Sequence, residues 1–165
     1  MTRLRDATPD DLPAIRAVYA PYVLESTATF ELEVPSLDEM ALRFDKVVSR
    51  GLPFLAVLND AGAVAGYGYA GPYHDRPGYR YTVEDTVYLA AELHGLGLGT
   101  VLLQALIDRA RALGMREMIG IVGDQANTAS RRLHTKLGFR EAGILENVGE
   151  KFGRRLDTIL HQKTL

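Results

Sequence analysis

The chain has 165 residues, 47% of them hydrophobic and 24% charged, with a formal net charge of −2. That length holds one well-filled core, and the near-neutral charge gives no electrostatic case for nucleic acid or an anionic membrane surface. With no cysteine, disulfides and thiolate chemistry are excluded; the start Met-Thr-Arg-Leu-Arg-Asp lacks a secretory apolar stretch and no run approaches the ~18 apolar residues of a membrane span, so a cytoplasmic protein is expected.

Arg3 to Asp6 reads as a short strand. Thr8-Pro9-Asp10-Asp11 reads as an N-cap, a proline at the first helical position and two acids facing the dipole. Leu12, Ile15, Val18, Tyr19 and Tyr22 follow at helical spacing. Ser36 with Glu39 forms a capping-box pattern before a second helix near 37–50. Pro53 to Leu58 and Ala63 to Ala70 read as strands joined by the turn sequence Asn59-Asp60-Ala61-Gly62. A third strand runs roughly from Tyr79 to Leu89, and its alternation sets Thr82, Glu84, Thr86 and Tyr88 on one face and Asp85 on the other.

The next helix carries Leu98, Val101, Leu102, Ala105, Leu106 and Leu113 on one stripe and closes at Gly114. Glu117 to Val122 is a strand, and Asn127 to Leu137 a helix with Leu133 and Leu137 inward. Two C-terminal strands, near 139–148 and 155–163, flank Glu150-Lys151-Phe152-Gly153-Arg154. The sum is one mixed α/β (α+β) domain over residues 1–165 with a mostly antiparallel sheet.

Residues 84–100 read Glu-Asp-Thr-Val-Tyr-Leu-Ala-Ala-Glu-Leu-His-Gly-Leu-Gly-Leu-Gly-Thr: a strand, a short turn, three alternate glycines and a helix start. Glycines let a backbone approach a ligand with no Cβ in the way, and a helix's first turn offers unpaired N–H groups at the positive end of its dipole. Together these make a seat for a phosphate-bearing ligand. A dinucleotide competes for that seat, because Gly95, Gly97 and Gly99 loosely follow G-x-G-x-x-G. The third glycine is one place early, however, and Glu117 begins the next strand where a ribose-binding acid ends it. Glycines that merely ease a tight turn are the plain alternative.

His94-Gly95-Leu96-Gly97-Leu98-Gly99 resembles the Arg/Gln-x-x-Gly-x-Gly/Ala signature of the GNAT superfamily of N-acetyltransferases, which seats the pyrophosphate of acetyl-coenzyme A. Asn127-Thr128-Ala129-Ser130, followed by Leu133-His134-Thr135-Lys136-Leu137-Gly138-Phe139, is similar to that family's second coenzyme-binding helix. Thr82-Val83-Glu84-Asp85-Thr86-Val87-Tyr88 and Val148-Gly149-Glu150-Lys151-Phe152-Gly153-Arg154 are similar to the phosphinothricin and methionine-sulfone N-acetyltransferases, which acetylate the α-amine of small amino-acid analogues. Two departures stand out. His94 replaces the usual Arg or Gln, and Arg155 stands where relatives often carry tryptophan.

The resemblance implies a GNAT fold over the whole chain: a twisted, mostly antiparallel sheet of about seven strands with about four helices, splayed at the coenzyme site. It implies acetyl-CoA as cosubstrate, with the pyrophosphate on Gly95, Leu96, Gly97, Leu98, Gly99 and Thr100. Val87, Tyr88 and Leu89 would pair with the pantetheine, and Asn127 and Lys136 would also touch the coenzyme. On the amine side it implies contacts from Phe30, Arg76, Tyr79, Glu84, Asp85 and Thr86, with Glu84 the general base and His134 near the thioester. A homodimer is expected, with no nucleic-acid or membrane partner, and the four histidines lack metal-ligand spacing.

Duller readings stay open for several of these residues. Glu84 pairs equally well with Arg80 on its own face, Asp85 reads as a solvent-exposed acid, and Asn127 as a helix cap. Lys136 complements a helix dipole, Arg76 is a solvated loop arginine, Phe30 and His134 are core residues, and Lys151 to Gly153 form a hairpin tip. The expected activity is acetylation of the α-amine of a small amino acid or analogue. Its rivals are a protein N-terminal or lysine acetyltransferase and a non-catalytic acyl-CoA-binding module.

Overall fold

The computed structural model describes residues 3–165, apart from the side chain of Arg3. Its strands are β1 (Arg3–Asp6), β2 (Phe54–Leu58), β3 (Val64–Pro72), β4 (Thr82–Leu89), β5 (Glu117–Gly123), β6 (Arg140–Lys151) and β7 (Arg154–Thr164). Its helices are α1 (Leu12–Glu25), α2 (Leu37–Val48), α3 (Leu98–Ala112) and α4 (Thr128–Lys136). Hydrogen bonds join the strands in the order β1-β2-β3-β4-β5-β7-β6. Every pairing is antiparallel except β4 with β5.

Strand alternation sends β3 in two directions. Tyr67 and Tyr69 face α1 and α2, and Tyr67 packs 5.7 Å from Tyr88, which meets Tyr19 at 4.8 Å. Gly68 faces α3, and a Cβ there would come within 3.2 Å of Leu102 and Leu106. The sheet therefore has helices on both faces, and the core fills both layers around Ile15, Val23, Leu55, Leu102, Leu106 and Ile107.

Several boundaries differ from those expected. Thr8 caps a 3-10 turn, Pro9–Asp11, and α1 begins only at Leu12. Asp11 answers to side chains more than to the dipole: Arg5 forks it at 2.7 and 2.8 Å and the Thr8 N–H donates at 2.8 Å. Those contacts, Arg5 foremost, hold its carboxyl down at about 2. Ser36 accepts from the Glu39 N–H at 3.1 Å, but the Glu39 carboxylate takes Arg43 at 2.8 Å instead of closing the box.

Tyr79 lies outside β4, because Pro77 starts a 3-10 turn that ends at Tyr79. On α3 the buried arc is Leu102, Leu103, Leu106, Ile107 and Ala110, while Val101 and Leu113 are exposed. The helix turns its 102/103/106/107/110 ridge to the sheet, and Val101 sits about 100° away from Leu102 around the axis. The C-terminal hairpin closes on Phe152 and Gly153 alone, with φ of 53° and 69°. Two left-handed residues match the twist of paired strands, so β6 and β7 run longer than expected.

Candidate active site

β4 and β5 pair in parallel only from Thr82 opposite Glu117 to Glu84 opposite Ile119. Beyond that point β4 continues beside β3 to Leu89, and β5 continues beside β7 to Gly123. The two strands part, and the opening between them is a cavity of about 730 Å³. β4 from Glu84 to Leu89 walls it on one side. Gly95, Gly97 and the start of α3 close one end, and α4 contributes Ser130, Leu133 and His134.

At the α3 end, Gly95 and Gly97 hold φ of 76° and 79°, which a side chain rarely adopts. A Cβ at either would meet nothing within 4 Å, so the space before this turn is open. The N–H groups of Gly95, Leu96 and Gly97 find no backbone acceptor among the described residues, and those of Leu98 and Gly99 open a helix that no side chain caps. Gathered donors at the positive end of a fifteen-residue helix suit a diphosphate. The Leu96 side chain is exposed and does not line the cavity, so only its main chain belongs to this seat.

His94 is exposed but tied back by its ring. Its Nε2 lies 2.8 Å from the Tyr22 hydroxyl and 3.1 Å from the Leu89 carbonyl, and the Tyr22 hydroxyl donates to that same carbonyl at 2.5 Å. It ties the glycine turn to α1 and to the end of β4. Asn127 and Lys136 both line the cavity; Asn127 also caps α4, accepting from the Ser130 N–H at 3.3 Å.

Glu84 sits where the strands part. It is half-buried, and its side chain makes no hydrogen bond or ion pair among the described residues. Arg80 does not pair with it; that guanidinium donates to the Pro77 carbonyl at 3.2 Å and lies over the Tyr81 ring. Burial, reinforced by the charge of Asp85, pushes the Glu84 carboxyl up to about 7.

Asp85 is the surprise. It is 8% exposed, and its two oxygens lie 3.0 and 3.2 Å from His134 Nε2. His134 Nδ1 in turn faces the Ser130 carbonyl at 2.8 Å. Burial opposes the imidazolium, but the charge of Asp85 and the two hydrogen bonds outweigh it and hold the ring above its usual value. Gly120 makes room for this pair, since a Cβ there would come within 2.4 Å of the imidazole. His161 stacks on His134 at 5.2 Å, and burial followed by that neighbour pushes it down.

Phe30 reaches the cavity from the α1–α2 connection, between two glycines. A Cβ at Gly123 or Gly149 would approach its ring to 2.8 or 2.4 Å. That connection is held by Lys151, a residue of the Val148–Arg154 motif. The Lys151 ammonium, almost fully buried, donates to the carbonyls of Ser26 at 2.6 Å, Thr29 at 2.8 Å and Tyr22 at 3.3 Å. Burial lowers its pKa, while the charge of Glu31 works the other way. Thr27 adds a bond to Asp124 at 2.6 Å. Arg76 and Tyr79 lie outside the cavity lining, and Tyr79 packs with Tyr73 and His74.

The sequence model of the acetyltransferase (GNAT) family matches residues 18–139. The chain belongs to that family. It is 48% identical over 156 residues to a phosphinothricin N-acetyltransferase of Alcaligenes faecalis, covering 94% of this chain and 79% of that one. It is 41% identical over 162 residues to an L-methionine sulfoximine/L-methionine sulfone acetyltransferase of Pseudomonas aeruginosa, covering 98% and 94%. A GNAT superfamily phosphinothricin acetyltransferase from Sinorhizobium meliloti, crystallised with acetyl-CoA, superposes with a TM-score of 0.96 at 43% identity, covering 99% of this chain and 88% of that one.

This GNAT enzyme is an N-acetyltransferase, and acetyl-CoA is its cosubstrate. The expected fold is present, with the sheet splayed between β4 and β5. The glycine turn fits the coenzyme's diphosphate by the open space before it and by its unpaired N–H groups.

Proposed function

We propose that the whole chain acts as one catalytic domain that acetylates the α-amine of a small amino acid or analogue, of the methionine-sulfone, methionine-sulfoximine or phosphinothricin type. The observation that carries this reading is a half-buried carboxylate, Glu84, whose side chain has no hydrogen-bond or ion-pair partner among the described residues, at the point where β4 and β5 separate. An amine reaches the enzyme as an ammonium and must lose a proton before it is a nucleophile. A carboxyl poised at about 7 is ionised often enough to accept that proton and basic enough to draw it. Acetyl-CoA supplies the activated acyl group. The residues of this chain do the rest: the α3 turn holds the diphosphate, the free edge of β4 from Val87 to Leu89 aligns the pantetheine, and Phe30 shields the reacting end from water.

A homodimer is part of the reading. It is supported by β6, an outer strand of twelve residues that leaves Ile144, Leu145 and Val148 exposed, with Phe152 exposed at its turn. Natural proteins seldom leave a long apolar edge to water. The test is a panel of amines incubated with acetyl-CoA while free thiol is followed, on protein whose mass is set by light scattering. Methionine sulfone, methionine sulfoximine or phosphinothricin should turn over in a particle of twice the chain mass. Turnover of a peptide N-terminus or lysine, with no amino acid accepted, sinks the proposed substrate class.

A further inference from the structure

The phase of β4 decides which of its main-chain groups face the opening. The Ala90 N–H donates to the Ala65 carbonyl at 2.8 Å, so alternate residues, Tyr88 and Thr86 among them, pair their main-chain groups with β3. Val87 and Leu89, in the other phase, turn theirs toward the cavity, where β5 has already parted from the strand. The Leu89 carbonyl is taken there, because Tyr22 on α1 and His94 both reach it, at 2.5 and 3.1 Å. The edge left for the pantetheine amides therefore stops at the Leu89 N–H.

The hydrogens fix who donates. A carbonyl only accepts, so the Tyr22 phenol, whose proton burial holds more tightly, gives its one hydrogen to Leu89. For His94 to bond the same oxygen, its Nε2 must carry a hydrogen. That N–H is shared with the Tyr22 oxygen at 2.8 Å, which closes a triangle of α1, the end of β4 and the first residue of the glycine turn. Among the described residues, no other side chain between Ala90 and Thr100 makes a hydrogen bond. Gly95 and Gly97, with their left-handed φ and open surroundings, have no side chain to hold them.

We infer that His94 is a positioning residue: with Tyr22 it locks the diphosphate seat at a fixed distance from the pantetheine edge, so that the nucleotide half of acetyl-CoA helps to place the thioester. The coenzyme spans both ends, and a turn already held in place gives up less conformational freedom when it binds. A loose turn would still accept a diphosphate, but its grip would no longer carry to β4. The histidine stands where the family usually carries Arg or Gln, and it gives its Nε2–H to the chain's own main chain. This holds whichever amine is acetylated.

The test is calorimetry with CoA on the full chain, together with initial rates for acetyl-CoA and for S-acetylpantetheine, which lacks the diphosphate. His94→Phe keeps a ring and loses the Nε2–H, while Tyr22 still caps Leu89. CoA should then bind on the order of ten-fold more weakly, and kcat/KM should fall by a like factor for acetyl-CoA alone. His94→Gln, which can return an N–H to the same carbonyl, should recover most of the loss. Tyr22→Phe should weaken CoA binding several-fold, and the double variant should lose less than the product of the two factors, because both act on one triangle. A general loss of packing would instead reduce both thioesters alike, with no rescue by Gln. That result, factors that simply multiply, or an unchanged CoA affinity in His94→Phe overturns the inference. The binding measurement needs no amine, so failure of the amino-acid reading leaves it standing.

Discussion

The two faces of β4 carry adjacent carboxylates with opposite fates. On the α1/α2 face, Glu84 is half-buried with no partner among the described residues, and its proton is held up to about 7. On the α3/α4 face, Asp85 is more deeply buried yet pairs with His134 at 3.0 Å. Burial alone therefore does not make a base. Desolvation raises the Glu84 carboxyl, which has no hydrogen-bond partner for its side chain among the described residues, whereas Asp85 is held by the His134 ring. What separates the proposed base from its paired neighbour is one imidazole, admitted by the missing Cβ of Gly120.

The sharpest way to break the contrast is Glu84→Gln. Losing a general base typically costs ~10²–10⁴ in rate, and kcat should fall by that factor while acetyl-CoA affinity, measured by calorimetry, stays put. In the wild type, kcat/KM should fall as pH drops through about 7, because the protonated carboxyl cannot accept a proton. Stability runs the other way. The folded carboxyl, at about 7, lies above its ordinary value of 4.5, so the folded chain binds this proton more tightly than the unfolded chain. The penalty is absent below the unfolded value, grows as pH rises between the two, and is complete above the folded one. The Gln variant should thus be more stable than wild type at pH 8, by roughly 1–3 kcal/mol after allowing for residual solvation, and equal to it at pH 4. An inactive variant with no pH-dependent gain in Tm would mean that Glu84 is not strained as described.

His134→Ala attacks the other face. Removing one member of a buried ion pair commonly costs about 3–5 kcal/mol because the survivor is left uncompensated. In a chain of this size that is about 6–20 °C in Tm at 2–4 °C per kcal/mol. Thermal melts on both variants would then show one face losing function with stability retained, and the other losing stability. Equal losses would erase the distinction.

How much of this was legible in the chain follows from how local each signal is. The glycine turn, its helix, the strand carrying Glu84 and the Asn127 cap rest on residues within a few places of each other, and all are present, the strand starting three residues later than expected, at Thr82. The α3 stripe was misjudged at Val101 and Leu113 because hydrophobicity does not say which way a helix with apolar residues on several sides will roll. The Asp85–His134 pair spans 49 positions, and Lys151 reaches back 125 to the Ser26 carbonyl. No periodicity encodes such pairings. Lys151 stood in a motif shared with relatives, but nothing local pointed to the carbonyls it holds. Gly123 and Gly149 were ordinary glycines until a phenyl ring was found between them.

The smallest effect is the finest test, because it asks whether the faces communicate. Asp85 adds its charge to the burial of Glu84, and His134 is hydrogen-bonded to that same Asp85. Asp85→Asn removes the anion, so the acidic limb of kcat/KM should move below about 7, by a fraction of a pH unit. His134→Ala leaves Asp85 bare and should move the limb the other way, to higher pH. Both variants disturb the same buried pair and weaken the same packing, so a merely structural role would blunt activity across the whole pH range with the limb in place. Opposite displacements from two neighbours in one pair are the outcome expected if Glu84 reads the charge of Asp85.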